Sequence, residues 1–220
     1  MKIIERFAFD LDGTLLDTAP DFFYAVNILR ENYKLDEADY NQVRSRVSQG
    51  AASLASYALN LDGDSQEKIE LHRHELLDIY ENCCLKNTEM FEGIEEVLSE
   101  LNNKQIKWGI VTNKPRRFAE GIVENKLGQF DVPFLICPDD VGTRKPEPEG
   151  LQKALKISNT APEKSIYIGD HRIDITAGEK ANMNTGAAAY GYIPLEDNVG
   201  SWEADYIFNK AKEIIPLIEK

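Results

Sequence analysis

Hydrophobic residues follow two different spacings along this chain, and the change between them divides the sequence. Between residues 19 and 87 they recur every three or four positions, as in Phe22, Val26 and Leu29. This is the spacing of helices that bury one face. No segment of this stretch has the alternating pattern of a strand. The spacing therefore predicts an all-helical block with three helices, the last of them within residues 64–86.

The rest of the chain alternates short apolar segments with amphipathic ones. An apolar run at residues 3–10 predicts a buried strand. From residue 92 onward, the same reasoning predicts strands at 106–112, 133–137, 165–169, 185–189 and 204–208, and helices at 94–102, 115–127, 147–157 and 173–182. Strands that alternate with helices form a parallel sheet with helices on both faces. The pattern therefore predicts the α/β class, with a Rossmann-like parallel sheet core.

The position of the helical block predicts the domain organisation. The block begins soon after the first strand, so the core must be assembled from two pieces of chain. We assign residues 1–16 and 88–220 to a Rossmann-like core domain and residues 17–87 to an inserted all-helical cap domain. In parallel α/β sheets, ligands bind at the carboxyl ends of the strands. We expect the cap to act as a lid over that edge.

Composition and charge exclude several classes of function. The 220 residues suit one large domain or a core with a smaller insertion, and the net charge is −13. Such an acidic protein is a poor candidate for binding nucleic acid or an anionic membrane. No apolar run approaches the roughly 18 residues of a membrane span. Three cysteines without framework spacing, and the lack of a signal-peptide pattern, predict a cytoplasmic location.

Polar residues collect where the predicted strands end. The first strand ends at Asp10, with Asp12 two positions on in the sequence FAFDLDGTLL, and the strand at 106–112 ends in Thr112, which Asn113 follows. Lys145 lies in the loop before the helix at 147–157, and the strand at 165–169 is followed by Asp170, with Asp174 four residues on. Because the carboxyl ends of parallel strands lie along one edge of the sheet, these side chains are expected to meet there.

The aspartates of this set predict a metal site. Asp10 and Asp12 are two positions apart, so both point to the same side of an extended chain and repel each other. A divalent cation that prefers hard oxygen ligands, such as Mg²⁺, offsets this repulsion. We expect Mg²⁺ to be held by Asp10 and Asp170, with a backbone carbonyl near Asp12 as a further ligand.

A carboxylate beside Mg²⁺ and a lysine is suited to phosphoryl transfer. In this hypothesis, Asp10 attacks the phosphorus atom and becomes an aspartyl-phosphate. Asp12 donates a proton to the leaving oxygen and later accepts one from the hydrolytic water. Lys145 and the Thr112 hydroxyl hold the phosphate oxygens, and Gly13 permits the tight reversal of the chain after the two aspartates.

Four separated segments of the chain resemble a known family. The sequences DLDGTLLDT, VTNK, RKPEPE and GDHRID are similar, in this order, to the four motifs of the haloacid dehalogenase superfamily. The helical block has the position of the first-type cap of that superfamily. The resemblance covers nearly the whole chain and implies a phosphatase that works through an aspartyl-phosphate.

The resemblance also implies a role for each matching residue. It implies that Asp10 is the nucleophile and Asp12 the acid/base. The residues expected to bind the metal are Asp10, Asp12 and Asp170. Those expected to bind the phosphate are Thr112, Asn113 and Lys145. Those expected to support the site are Gly13, Gly169 and Asp174. In the cap, a substrate-reading loop is expected at Ser48, Gln49 and Gly50.

The resemblance narrows the range of candidate substrates but does not select one of them. The chain is most similar to the phosphoglycolate phosphatase group, and segments such as WGIVTNKPRRFAE and AYGYI resemble relatives that act on N-acetylmuramic acid 6-phosphate. We expect a monomer or homodimer that hydrolyses a small phosphorylated metabolite.

A phosphosugar mutase shares the same core residues and stays open as an alternative. A dehalogenase needs no acid at the position of Asp12, which argues against that activity. The roles of His171, Arg116 and Arg117 are left open.

Overall fold

The computed structural model of the protein describes residues 3–218. Contacts within the backbone divide these residues into two compact units. Unit 1 contains the described residues up to Leu16 and from Met90 onward, and unit 2 is Asp17–Glu89. We propose that unit 1 is the core domain and unit 2 the inserted cap domain.

A parallel sheet of six strands forms the centre of unit 1. The strands in the described part of the chain are β1 (Arg6–Phe9), β2 (Leu16–Asp17), β3 (Glu89–Met90), β4 (Trp108–Val111), β5 (Leu135–Ile136), β6 (Ser165–Gly169), β7 (Asn184–Ala188) and β8 (Tyr206–Phe208). The large sheet has the order β5-β4-β1-β6-β7-β8, with parallel pairing between neighbours, while β2 and β3 form a small sheet of their own. The predicted α/β fold with a parallel sheet is confirmed.

The central strand explains why the first apolar run shows no alternation. All four residues of β1 are buried, because helices cover both faces of a parallel sheet. In the register of the sheet, Ala8 of β1 lies opposite Gly109 of β4 and Tyr167 of β6. This register aligns the carboxyl ends of the three strands that precede the candidate site residues. The strand predicted at 106–112 is shorter than expected and comprises only Trp108–Val111.

Amphipathic helices connect the strands, as the spacing predicts. In unit 1 they are α5 (Ile94–Asn103), α6 (Arg116–Leu127), α7 (Glu149–Ser158), α8 (Arg172–Lys180) and a short α9 (Ile215–Ile218). In α5, for example, Ile94, Val97 and Leu101 recur along one face and are fully buried. Among residues 3–218, no helix combines the length and apolar character that crossing a bilayer requires.

Unit 2 is built from helices. They are α1 (Ala19–Asn32), α2 (Tyr40–Arg44), α3 (Ala51–Leu59) and α4 (Gln66–Glu81), and α1 stacks on α4 through the rings of Phe22 and Tyr80 at 3.9 Å. The short helix α2 was not predicted. Only one of its five residues, Val43, is buried, so it leaves no hydrophobic period in the sequence. It begins where the side chain of Asp39 accepts a hydrogen bond from the main chain of Gln42.

A buried carboxylate joins the two ends of unit 2. Asp21 in α1 is completely buried. One of its oxygens accepts hydrogen bonds from the main-chain and side-chain nitrogens of Asn87, at 2.8 and 3.1 Å. The other accepts the hydroxyl and N–H of Thr88 at 2.7 and 3.1 Å. A carboxylate with four donors is well satisfied although it is buried. The segment that leaves unit 2 is thereby fixed to the helix that enters it.

Candidate active site

The candidate site lies where the central strands of unit 1 end. Asp10 directly follows β1, and its N–H continues the ladder by donating to Ile168 O at 2.9 Å. Thr112 follows β4 and donates in the same way to Ile136 O at 3.0 Å. Asp170 follows β6. The structure therefore brings these residues to neighbouring strand ends because the parallel register aligns them.

Lys145 lies between two aspartates and a tyrosine. Its ammonium is 2.9 Å from Asp10 Oδ1, 2.7 Å from Asp174 Oδ1 and 2.7 Å from the hydroxyl of Tyr167. Burial alone lowers the pKa of Lys145, but attraction to Asp10 and Asp174 outweighs it and the pKa lies above its ordinary value. Lys145 is therefore a buried cation that is charged at neutral pH.

Tyr167 was not predicted as a site residue, although it holds Lys145 in place. Its hydroxyl donates a hydrogen bond to Val111 O at 2.7 Å and accepts one from the Lys145 ammonium. Burial raises the pKa of Tyr167 well above its ordinary value, so the hydroxyl keeps its proton. In the sequence this tyrosine is one apolar position of the strand SIYIG, and no local signal distinguishes it from a core residue.

Asp10 has an oxygen that the protein leaves unsatisfied. Oδ1 is buried and has no hydrogen bond of good geometry, although the Lys145 ammonium lies 2.9 Å away as its ion-pair partner. Burial raises the pKa of Asp10 to about 6, while Lys145 opposes that shift. Buried polar atoms normally have partners. An acceptor of this kind indicates a ligand that the polypeptide itself does not supply.

A metal ion fits this oxygen and its surroundings. Asp10, Asp170 and Asp174 are all buried, and one oxygen of each lies within 4.8 Å of the others. Hard carboxylate oxygens of this kind suit Mg²⁺. Asp12 was also expected to bind the metal, through a backbone carbonyl nearby; its side chain instead pairs with Lys114. Metal binding by Asp10, Asp170 and the main chain near Asp12 stays a prediction.

The Asp170 carboxylate is oriented from two sides. Thr14 Oγ1 donates to Asp170 Oδ1 at 3.3 Å, and the N–H of Tyr192 donates to Oδ2 at 2.8 Å. Gly13 has a φ of +81°, and a Cβ there would lie 2.0 Å from Asp170 Oδ2. The predicted supporting position Gly13 therefore requires glycine both for its backbone conformation and for the approach of Asp170.

Gly191 makes a second close approach to the same carboxylate. A Cβ on Gly191 would lie 2.2 Å from Gly13 O and 2.3 Å from Asp170 Cβ. We expect Gly191→Ala to weaken Mg²⁺ binding about 10- to 100-fold, because side chains around a metal ligand set its orientation. Calorimetric titration of Mg²⁺ measures this change.

The matched control for this substitution is Gly121→Ala. Gly121 lies in α6, and a Cβ there meets no atom within 4 Å. Alanine stabilises a helix by about 0.5–1 kcal/mol relative to glycine, so this variant is expected to bind Mg²⁺ normally. Equal Mg²⁺ affinity in the two variants would contradict the proposed role of Gly191.

Thr112 and Asn113 were both predicted to bind phosphate, and their side chains have different partners. Thr112 Oγ1 accepts the N–H of Lys114 at 3.1 Å, which leaves the hydroxyl proton to be donated elsewhere. Asn113 Oδ1 accepts the N–H of Lys145 at 2.8 Å, and Asn113 Nδ2 donates to Lys145 O at 3.1 Å. The Asn113 side chain therefore holds the loop that carries Lys145. Phosphate binding by these two residues stays a prediction.

A second buried lysine, Lys114, was not predicted as a site residue. Its ammonium is 3.0 Å from Asp12 Oδ1 and 3.3 Å from Asp12 Oδ2. Only 4% of the Lys114 side chain and 15% of the Asp12 side chain are exposed. The signal in the sequence is the last letter of the segment VTNK, which directly follows the two predicted phosphate ligands.

Asp174, for which a supporting role is predicted, has two partners in the structure. Its Oδ1 pairs with Lys145, and its Oδ2 accepts the N–H of His171 at 3.0 Å at the start of α8. A Cβ on Gly169 would lie 2.4 Å from Asp174 Cγ, so glycine is required there. His171 Nδ1 accepts the N–H of Ile173 at 3.2 Å, and burial lowers the pKa of His171. His171 therefore caps α8 as a neutral imidazole.

Arg116 and Arg117 have structural partners at the start of α6. The guanidinium of Arg116 pairs with the carboxylate of Asp140 and donates to Leu135 O at 3.0 Å. Its main-chain N–H donates to Asp139 Oδ2 at 3.0 Å. The guanidinium of Arg117 lies 4.4 Å from the centre of the adjacent Phe118 ring. These contacts account for both arginines without a substrate.

The predicted substrate-reading residues lie in unit 2. Ser48 and Gln49 belong to a short 3₁₀ helix, Val47–Gln49, and Gly50 follows it with a φ of +93°. Gln49 Oε1 accepts the hydroxyl of Ser53 at 2.8 Å. The glycine conformation ends the 3₁₀ helix and begins α3. A role of these residues in substrate recognition stays a prediction.

Comparison with known sequences identifies relatives over almost the whole chain. A model of the family described as haloacid dehalogenase-like hydrolase matches residues 7–188. An N-acetylmuramic acid 6-phosphate phosphatase of Pseudomonas aeruginosa is 40% identical over 96% of this chain and 93% of its own length. A phosphoglycolate phosphatase of Xanthomonas campestris is 34% identical over 97% of this chain and 96% of its own length.

Solved structures share the fold. A haloacid dehalogenase-like family protein from Streptococcus pneumoniae has a TM-score of 0.80 at 21% identity, covering 97% of each chain. A hydrolase of the same superfamily from Geobacter sulfurreducens has a TM-score of 0.74 at 21% identity, covering 98% of this chain and 96% of its own. At these identities the similarity establishes the architecture, and the sequence relatives carry the information on activity.

Proposed function

The chain belongs to the haloacid dehalogenase-like hydrolase family, and from this premise we propose a Mg²⁺-dependent phosphatase in which Asp10 is the nucleophile. It is a phosphatase that acts on a small phosphorylated metabolite, as its relatives do. The observation that carries the proposed mechanism is the buried Asp10 oxygen without a hydrogen bond, beside the Lys145 ammonium. A carboxylate left unsatisfied in this way is available both to a metal and to a phosphorus atom.

In the first step, Asp10 receives the phosphoryl group. A carboxylate oxygen of Asp10 forms a bond to phosphorus, and the bond between phosphorus and the ester oxygen breaks. The bonding electrons go to that ester oxygen, which takes a proton from the Asp12 carboxyl and leaves as an alcohol. The products of this step are the aspartyl-phosphate and an ionised Asp12.

In the second step, water releases the phosphate. The water oxygen bonds to phosphorus while Asp12 accepts one of its protons, and the bond between Asp10 and phosphorus breaks. Inorganic phosphate leaves, Asp10 is again a carboxylate and Asp12 is again protonated. Asp12 thus serves as acid in one step and as base in the other, and its ion pair with Lys114 belongs to the carboxylate form that exists without substrate and between the two steps.

Positive charge in the site offsets the negative charge of the phosphoryl group. Lys145 is charged and placed beside Asp10, and the Thr112 hydroxyl follows the neighbouring strand. Asp10 and Asp170, with the main-chain carbonyl of Asp12, are the residues that would hold Mg²⁺. When bound, the ion supplies charge that lets one anion approach another and stabilises the transferring group.

The metal requirement gives a direct test. Chelation is expected to abolish phosphate release, and added Mg²⁺ to restore it, because without the ion the buried aspartates repel the substrate. Ca²⁺ is expected to inhibit, since it prefers more ligands and looser geometry. The same Mg²⁺ titration should raise the melting temperature, because the ion binds only the folded site. Phosphate release that survives exhaustive chelation would contradict the metal assignment.

The chain has two candidate substrates, because it is similar to two groups of phosphatases. The N-acetylmuramic acid 6-phosphate phosphatases are 40% and 39% identical to it, and a phosphoglycolate phosphatase is 34% identical. The higher identity favours N-acetylmuramic acid 6-phosphate as the preferred substrate, with phosphoglycolate as the second candidate.

The experiment that decides the substrate is a comparison of kcat/KM across a panel. It includes these two compounds, other amino-sugar 6-phosphates and 4-nitrophenyl phosphate, each with Mg²⁺. Release of inorganic phosphate supports the hydrolase. Conversion of one sugar phosphate isomer into another, without free phosphate, would instead support the mutase alternative.

A further inference from the structure

Lys114 is a buried charge to which the proposed mechanism assigns no task. Its side chain is 4% exposed and donates to both oxygens of Asp12, although 102 residues separate the two in sequence. A lysine is rarely this buried unless its charge is paired. We propose that Lys114 is a positioning residue that orients the Asp12 carboxyl for proton transfer to and from the substrate. The inference rests on the proposed function.

The main chain of Lys114 is also held in place. Its N–H donates to Thr112 Oγ1 at 3.1 Å, directly after β4. The ammonium is therefore presented from the short loop between β4 and α6, and a hydrogen bond holds this loop to Thr112 at the end of the strand. A donor that reaches both oxygens of one carboxylate limits rotation of that carboxylate about its own axis. The orientation of Asp12 is thus coupled to the end of the strand that carries a predicted phosphate ligand.

The two lysines of the site have separate partners. Lys145 lies beside Asp10 and Asp174, whereas Lys114 lies beside Asp12. Asp10 and Asp12 are two positions apart in the sequence. A separate ammonium for Asp12 keeps its carboxyl from competing for Lys145. This separation allows Asp10 to act as the nucleophile while Asp12 donates and accepts the proton.

The leaving group provides a readout that a purely structural role would not change. An alkyl oxygen needs the proton from Asp12, whereas 4-nitrophenolate leaves without one. Lys114→Met is therefore expected to lower kcat/KM, which reports transfer to Asp10 and not the shared hydrolysis of the aspartyl-phosphate, about 10²-fold on an alkyl phosphate such as phosphoglycolate. On 4-nitrophenyl phosphate kcat/KM should fall only a few-fold. A slower second step would lower kcat and KM together for 4-nitrophenyl phosphate, and it would leave kcat/KM unchanged.

Three further variants make the experiment specific to Asp12. Asp12→Asn is expected to show the same dependence on the leaving group. The double variant Asp12→Asn with Lys114→Met should be no slower than Asp12→Asn alone, because the lysine acts only through that aspartate. It also removes both charges of the pair, so it folds without an unpaired buried charge. Lys114→Arg keeps the charge and is expected to recover part of kcat on the alkyl ester.

The control and the possible outcomes separate this inference from the proposed function. Lys156→Met changes an exposed lysine of α7 and is expected to leave both rates unchanged. In an active enzyme, equal losses on both esters, or additive losses in the double variant, would overturn the role of Lys114 alone. A wild-type protein that releases phosphate from neither ester with Mg²⁺ would overturn the proposed function and this inference with it.

Discussion

An Asp10→Asn variant is expected to lose turnover by roughly 10⁴-fold or more, which is the scale on which nucleophile replacements act. The amide of asparagine is a poor nucleophile and cannot form the aspartyl-phosphate. The loss should be similar for alkyl and aryl phosphates, because both need Asp10 as the nucleophile whatever the leaving group. This distinguishes Asp10 from Asp12, whose replacement should spare aryl esters.

The same variant should keep its fold. Burial raises the pKa of Asp10 to about 6 from an ordinary value of 3.8, so the folded protein binds a proton there more tightly than the unfolded chain does. Without metal, the stability of the wild type should therefore fall as the pH rises from about 4 to 6, since ionised Asp10 is costly to bury. Asparagine does not ionise. The melting temperature of Asp10→Asn relative to wild type should thus increase across this range.

Steady-state kinetics with Mg²⁺ and thermal melts in chelator test these two expectations. The matched control is Asp131→Asn, which makes the same chemical change at an exposed residue. Asp131 has a φ of +48°, a conformation that asparagine tolerates well. This control should retain full activity. An Asp10→Asn enzyme with substantial turnover would exclude the aspartyl-phosphate mechanism.

Replacing Lys145 by methionine is expected to damage both activity and stability. Methionine fills much of the same space but leaves Asp10 and Asp174 buried side by side without their shared cation. Removing one partner of a buried ion pair costs about 3–5 kcal/mol. In a chain of this length, that loss lowers the melting temperature by about 10 °C. Turnover should fall at least 10²-fold, because the phosphoryl group loses a positively charged neighbour.

Mg²⁺ should reverse part of the stability loss in Lys145→Met. The ion supplies positive charge to the same aspartates, so its addition should raise the melting temperature of the variant more than that of the wild type. Activity should not recover in parallel, since the ion does not replace the lysine at the phosphate oxygens. Thermal melts with chelator and with saturating Mg²⁺, together with kcat, measure both effects.

The control for Lys145 is a lysine in an exposed ion pair. Lys164 pairs with Glu5 at 2.7 Å, and the two side chains are 51% and 48% exposed. Surface pairs of this kind contribute at most about 1 kcal/mol. Lys164→Met is therefore expected to shift the melting temperature by no more than a few degrees and to leave turnover unchanged. A comparable loss of stability in both variants would contradict the buried-cation interpretation of Lys145.

The sequence by itself determined the architecture and the aspartates of the site. Helical and strand-like spacings report which faces of an element are buried, and their alternation is enough to predict a parallel sheet. Polar residues in the connections that leave the carboxyl ends of the strands must then come to one edge. Asp10, Lys145 and Asp174 were predicted to meet for this reason, and contacts of 2.7–2.9 Å join them in the structure.

Only the tertiary structure decided which side chain serves which partner. The spacing of hydrophobic residues indicates which positions are buried but not which residues contact each other. It therefore could not predict the ion pair between Lys114 and Asp12, which are 102 positions apart in the sequence. Tyr167 looked like one more core residue of its strand. Asn113 was assigned to phosphate because of its position beside Thr112, whereas its side chain holds the main chain of Lys145.

The packing around Asp170 is the clearest example of a requirement that the sequence does not reveal. Gly191 has no positive φ and lies in no repeated pattern, yet a Cβ there would lie within 2.3 Å of both Gly13 O and Asp170 Cβ. Such a requirement arises from atoms that approach each other only after the sheet has formed. Local sequence predicts elements because their causes are local, whereas close packing and ion pairing depend on distances that only the folded chain defines.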